Sequence, residues 1–182
     1  MQSIQNERNL NIPNMLTVLR IALLPVIVWR FRIGDLRGAL LFYLAAMMTD
    51  AADGLIARRF HLITSLGKLL DPLADKLSLL TLLMLFAHAD EISMGLLRLI
   101  LVKEAFLIVG SVAALKAGII VSALPVGKLT TFLFTVSMAF RFLAQRKIAD
   151  ILLWISVVLS FAALLWYAVV LIQNLYMRRI FM

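Results

Sequence analysis

Residues 50–75, DAADGLIARRFHLITSLGKLLDPLAD, set Asp50, Asp53, Asp71 and Asp75 at the facing ends of two long apolar runs. The chain has only ten acidic side chains, and four of them stand in this stretch. Asp50 and Asp53 are spaced i, i+3, and Asp71 and Asp75 i, i+4, so on helices each pair shares a face. The link between the runs is short, so the two helices are expected to form a hairpin in which the pairs converge. Carboxylates gathered at a membrane repel one another and are costly without a compensating cation or a function. Oxygen donors of this hardness suit one or two divalent cations, Mg²⁺ or Mn²⁺. Two such ions are a recurrent clamp on a phosphate undergoing in-line displacement. Gly54, Ala57 and Gly67 keep the surrounding surface shallow, so that backbone or ligand can come close. Arg58 offers a planar guanidinium suited to phosphate. Pro72, directly after Asp71, is expected to kink or restart its helix. Carboxylate clusters also line ion paths, so divalent-cation transport stands as a reading of another class.

Outward from this stretch the chain is apolar. Of its 182 residues, 63% are hydrophobic and 15% charged, against about 45–50% and about 25% in soluble domains. A chain of this length cannot bury so much apolar surface, and lipid must cover the excess. A soluble enzyme, a nucleic-acid reader and a disordered regulator are poor readings on that ground. The net charge of +8 suits anionic head groups or phosphorylated substrates. The basic residues lie between apolar runs rather than on one polar face, so nucleic acid is not an expected partner. Zero cysteines exclude disulfides, iron–sulfur clusters and thiol catalysis. Two histidines, His61 and His88, make a His-rich zinc site a poor fit.

Six runs reach about the 20 residues a helical span needs: 13–31, 38–58, 65–87, 92–115, 124–143 and 151–177. The expected fold is all-α, an integral membrane bundle of six transmembrane helices forming one domain over 1–182. Short connections make neighbours antiparallel. Residues 1–10 are polar, so the first run is expected to be a retained span rather than a cleaved leader. The last run has no charge; its Trp154, Trp166, Tyr167 and Tyr176 suit interfacial or packing positions. With the termini inside, Arg8, Arg58, Arg59, Lys68, Lys116, Lys128, Arg178 and Arg179 fall on the cytoplasmic side. Arg30, Arg32, Arg37, Arg141, Arg146 and Lys147 fall on the other. That is a weak bias towards termini inside.

Asp50, Asp53, Gly54, Ala57, Arg58, Gly67, Asp71 and Asp75 match, position for position, the pattern D-x-x-D-G-x-x-A-R-x8-G-x-x-x-D-x-x-x-D. That is the signature of the CDP-alcohol phosphotransferases, and the chain resembles this family. The resemblance implies transfer of a phosphatidyl group from CDP-diacylglycerol to an alcohol, with release of CMP, in phospholipid biosynthesis. It implies Asp50, Asp53 and Asp71 as ligands of two Mg²⁺ or Mn²⁺ ions. It makes Asp75 both a contact of the metal site and the general base on the acceptor hydroxyl. Gly54, Ala57 and Arg58 would line the CDP pocket, and Gly67 would permit close helix approach beside it. A homodimer in the bilayer, with the site open to the cytoplasm, is implied as well.

Residues 11–21, NIPNMLTVLRI, and 127–131, GKLTT, resemble the branch of the family whose acceptor is glycerol 3-phosphate. Asn14, Thr17 and Arg20 share a face, expected to point into the site, with Asn14 and Thr17 towards CDP and Arg20 towards the acceptor phosphate. Arg20 is costly in a span unless it meets a phosphate or a carboxylate. Lys128, at a helix start, is expected to help hold the acceptor phosphate. Lys103-Glu104 resembles an Arg-Glu pair of that branch, with Lys103 at the acceptor; an internally compensated pair is the alternative. Ser111 stands where the branch usually carries a further arginine. Phosphatidylglycerol, the acceptor of cardiolipin synthases in the same family, therefore stays open. His61 and Asp90-Glu91 read as solvated loop residues, and Arg178 and Arg179 as a head-group anchor.

Overall fold

The first helix begins where the sequence supplies both start signals. Asn11 accepts the Asn14 N–H at 3.0 Å, and Pro13 lies in the first turn. From there the computed structural model describes residues 11–60, 64–116 and 125–180; the side chains at 57–58, 65–66, 68–69, 113, 115–116, 125 and 174–180 are not included. The described residues form six α-helices and no strand: α1 (Ile12–Arg32), α2 (Leu36–Arg59), α3 (Ser65–His88), α4 (Met94–Lys116), α5 (Pro125–Phe142) and α6 (Arg146–Ile180). The all-helical expectation holds. Three helical segments, Ile12–Arg32, Leu36–Ile56 and Arg146–Gln173, are long and apolar enough to cross a membrane by length and composition. The others are interrupted by charge or are shorter: Lys68, Asp71, Asp75 and Lys76 in α3, Arg98, Lys103 and Glu104 in α4, and 18 residues in α5.

The helices group into two compact units, one up to His88 and one from Ala89. In the first, α1 packs against both α2 and α3. Leu24 and Ile27 of α1, Ala39, Tyr43 and Ala46 of α2, and Leu82, Leu83 and Phe86 of α3 are buried. Phe31 meets Phe86 edge-to-face at 5.4 Å. The α1–α2 turn is tight: Gly34 has φ +80°, where a side chain is strained, and Asp35 caps α2 by accepting the Gly38 N–H at 2.8 Å. Arg30 closes that turn on Asp35 at 3.1 Å. The expected α2–α3 hairpin is corrected to this extent: each of the two helices packs against α1, and among the described residues α2 and α3 do not pack closely on each other.

In the second unit α5 and α4 pack on α6. Its core includes Leu97 and Ile100 of α4, Phe134, Met138 and Phe142 of α5, and Ala149, Leu153 and Val157 of α6. The Ser137 hydroxyl donates to the Ala149 carbonyl at 2.7 Å. Arg141, 1% exposed, pairs with Asp150 and donates to the Glu91 carbonyl at 2.6 Å. Arg146 adds a bond to the Glu91 carboxylate at 3.0 Å. Reading Asp90-Glu91 as a solvated pair is thus half right. Asp90 is exposed, but Glu91 fastens its loop to the α5–α6 turn, because two arginines sit across from it.

Candidate active site

Asn14, Thr17 and Arg20 come at every third position of α1 and are 4%, 0% and 1% exposed. Burial of three polar side chains on one stripe requires partners, and the stretch 50–75 supplies them. Arg20 reaches Asp50 at 2.6 Å, Asp53 at 2.5 Å and Asp75 at 2.9 Å. The Thr17 hydroxyl donates to Asp71 at 2.8 Å and lies 3.4 Å from Asp53. All four aspartates of residues 50–75 therefore converge, from two helices, on one stripe of a third. Asp53 is 5% exposed, whereas the Asp50 and Asp75 side chains are about half exposed. One carboxylate is sunk at the floor while two open outward.

A second polar layer lies one turn of α1 before Thr17. The Asn14 side-chain amide donates to the Thr64 hydroxyl at 3.0 Å, and the Gly67 N–H donates to the same oxygen at 3.0 Å. A Cβ on Gly67 would stand 2.7 Å from the Asn14 side-chain oxygen and 3.3 Å from the Thr64 hydroxyl. Gly67 thus allows the close approach expected of it, and the approaching group is Asn14. Thr64 was not singled out in the sequence. The available signal was a threonine directly before a helix, three residues ahead of Gly67, which is the spacing of an N-cap.

Arg20, expected at an acceptor phosphate, meets carboxylates in this structure: its terminal nitrogens are taken by three aspartates, and its Nε is buried without a partner among the described residues. Asn14 and Thr17, expected towards CDP, face Thr64 and the aspartates. Gly54 lies one turn beyond Asp50 on α2, while the side chains of Ala57 and Arg58 lie outside the described residues, as do His61, Arg178 and Arg179. Lys103 and Glu104 are both buried and form an ion pair in α4. Lys128 is exposed in the first turn of α5, and Ser111 is exposed on α4. These three positions belong to the second unit.

Among the described residues no three His, Asp or Glu side chains are disposed to hold a metal ion. The carboxylates close on the guanidinium rather than on one another. The donor set nonetheless fits a hard divalent cation: all four groups are carboxylates, and three already share a single cationic partner. One guanidinium facing four carboxylates leaves an excess of negative charge that a divalent ion would offset.

Comparison with known proteins follows the same stretch. Residues 10–162 match the family described as CDP-alcohol phosphatidyltransferase. The chain is 37% identical over 165 residues to a Rickettsia bellii protein named CDP-diacylglycerol–glycerol-3-phosphate 3-phosphatidyltransferase, covering 82% of this chain and 89% of the relative. A Bacillus subtilis protein of the same name is 32% identical over 171 residues, covering 81% and 88%. A Streptomyces coelicolor cardiolipin synthase (CMP-forming) is 36% identical over 112 residues, covering 58% and 52%. A match that runs through four aspartates gathered at the buried α1 stripe, and on through most of the length, leaves one assignment: the chain belongs to the CDP-alcohol phosphatidyltransferase family.

Proposed function

We propose that this protein transfers the phosphatidyl group of CDP-diacylglycerol to glycerol 3-phosphate, releasing CMP, in phospholipid biosynthesis. The observation that carries the reading is the convergence of Asp50, Asp53, Asp71 and Asp75 on the Thr17–Arg20 stripe, in a chain resembling glycerol-3-phosphate phosphatidyltransferases over about four-fifths of its length. Asp50, Asp53, Asp71 and Asp75 would hold one or two Mg²⁺ or Mn²⁺ ions, whose charge would offset that of the diphosphate and of the departing CMP. Arg20 holds the carboxylates facing one way before substrate arrives. Asp75, with half its side chain open, takes the proton from the acceptor hydroxyl. That oxygen attacks the phosphorus bearing the diacylglycerol, the bond from this phosphorus to the bridging oxygen breaks, and CMP leaves with the electron pair. Asp53, at the floor, is placed to hold charge and not to meet a soluble alcohol. Gly54, Ala57 and Arg58 are assigned to CDP, and Lys128 and Lys103 to the acceptor phosphate. Six membrane crossings, one functional domain, a homodimer and a cytoplasmic site complete the proposal.

The second reading, cardiolipin synthase, draws on Ser111, an exposed serine in the place of an expected arginine. Purified protein in mixed micelles with Mg²⁺ or Mn²⁺ is given CDP-diacylglycerol and one acceptor at a time. CMP release with glycerol 3-phosphate supports the proposal. Release with phosphatidylglycerol alone moves the assignment to the second reading. Release with neither, together with divalent-cation flux into liposomes, moves it to transport.

A further inference from the structure

Among the described residues three polar contacts fix the start of α3 against α1, and they rise together. Asn14 meets Thr64 beside Gly67, Thr17 meets Asp71, and Arg20 meets Asp75. The order shows that the two helices run parallel. Successive steps of three residues on α1 are matched by a step of seven and then one of four along the chain from Thr64 through Asp71 to Asp75. A sliding error of one residue on α3 turns Asp71 and Asp75 about 100° off the stripe. Something must fix the phase of α3. The upper two contacts are made by the reactive carboxylates, which substrate and metal must disturb. The lowest contact is not.

We propose that Thr64 is a positioning residue: its hydroxyl sets the start of α3 against Asn14 of α1 and so places Asp71 and Asp75. Thr64 stands directly before Ser65–His88 and is 8% exposed. Its oxygen takes the Gly67 N–H, an otherwise orphaned donor of the first turn, and the Asn14 amide, both at 3.0 Å. One atom therefore caps α3 and docks it. Asn14 is held in turn by its own N–H on Asn11 at 3.0 Å. Gly67 is part of the same device, since the Asn14 oxygen occupies the space where its Cβ would stand. The inference rests on the proposed reaction only for its activity readout.

The test compares Thr64→Val, which keeps the shape and removes the hydroxyl, with Thr64→Ser, which keeps the hydroxyl. In Thr64→Val, exchange at the Gly67 amide, followed by hydrogen–deuterium exchange, should rise roughly fivefold, the size of a lost N-cap. Mn²⁺ affinity, titrated on the protein without substrate, should weaken, and kcat for CMP release should drop on the order of tenfold with little change in KM for CDP-diacylglycerol. Thr64→Ser should restore all three. Wild-type exchange and Mn²⁺ affinity in Thr64→Val overturn the proposal, and so does a Thr64→Ser protein as impaired as Thr64→Val, which would make the methyl group the cause. Should the wild type release no CMP with any acceptor, the reaction assignment fails, while the exchange and Mn²⁺ arms still decide the role of Thr64.

Discussion

Among the described side chains of the first unit, Arg20 pairs with the most carboxylates. It is 1% exposed, and three carboxylates lie within 3 Å of its terminal nitrogens. Removing one member of a buried ion cluster strands the others, at about 3–5 kcal/mol. Arg20→Ala should therefore unfold well before wild type in a detergent thermal melt. Arg20→Lys should recover part of the loss, since it returns the charge without the planar fork. Equal melts for all three proteins would refute the view that Arg20 compensates the quartet. Asp75→Asn is the opposite case. Its side chain is 54% exposed, so the melt should barely move, while CMP release should fall by about 10²–10⁴-fold, the range of a lost general base. Full activity in that variant would remove Asp75 from proton transfer. At this scale the sequence was most legible where chemistry repeats in spacing. The i, i+3 and i, i+4 pairs named the quartet, and the three-residue step named the α1 stripe. Which group Arg20 meets was not legible, because phosphate and carboxylate satisfy a guanidinium equally well, and only packing chooses between them. Thr64 escaped for a related reason: a cap becomes a docking contact only when Asn14, fifty residues away, is folded against it.

The elements show where hydropathy stops being a guide. Expected runs at 13–31 and 65–87 differ from Ile12–Arg32 and Ser65–His88 by a residue at most at each end. The run at 151–177 misses the start of Arg146–Ile180 by five residues. Apolar content marks the stretch that lipid or core must cover, but the first turns of α6 hold Arg146, Lys147 and Asp150, which are helical and polar. Those same turns make the clasp with Glu91 and Arg141, so the misplaced boundary and the misread loop have one cause. At Gly67 the Asn14 side chain of α1 comes close to the backbone of α3. Gly67→Ala puts a methyl 2.7 Å from the Asn14 oxygen, so Asn14 must turn and give up its bond to Thr64. The alanine itself favours helix by up to about 1 kcal/mol, so a stability gain competes with the contact. The expected outcome is an unchanged or slightly higher melting temperature combined with lower kcat. A variant with wild-type kcat would show that the close approach is not needed for turnover.

At the scale of the whole molecule, charge is the governing quantity. The chain carries +8 overall, yet its four-aspartate cluster is negative even after Arg20 is counted. On the proposed reading this local acidic focus in a basic protein would draw divalent cations, while the positive charge elsewhere favours anionic lipid. Cation binding to the folded state alone must then raise stability, by about 2.7 kcal/mol at a hundredfold excess over the dissociation constant. Protein stripped with EDTA should melt at a lower temperature and release no CMP. Mg²⁺ or Mn²⁺ should restore both, whereas Ca²⁺, which prefers longer bonds and more ligands, should restore stability better than turnover. Asp71→Asn removes one donor whose only described partner is the Thr17 hydroxyl. That variant should fold, and its melting temperature should respond less to Mn²⁺ than that of wild type. A melting temperature indifferent to EDTA and to Mn²⁺ in the wild type, with CMP release intact, would mean that the quartet keeps its excess charge without a divalent ion and that the reaction proceeds without one.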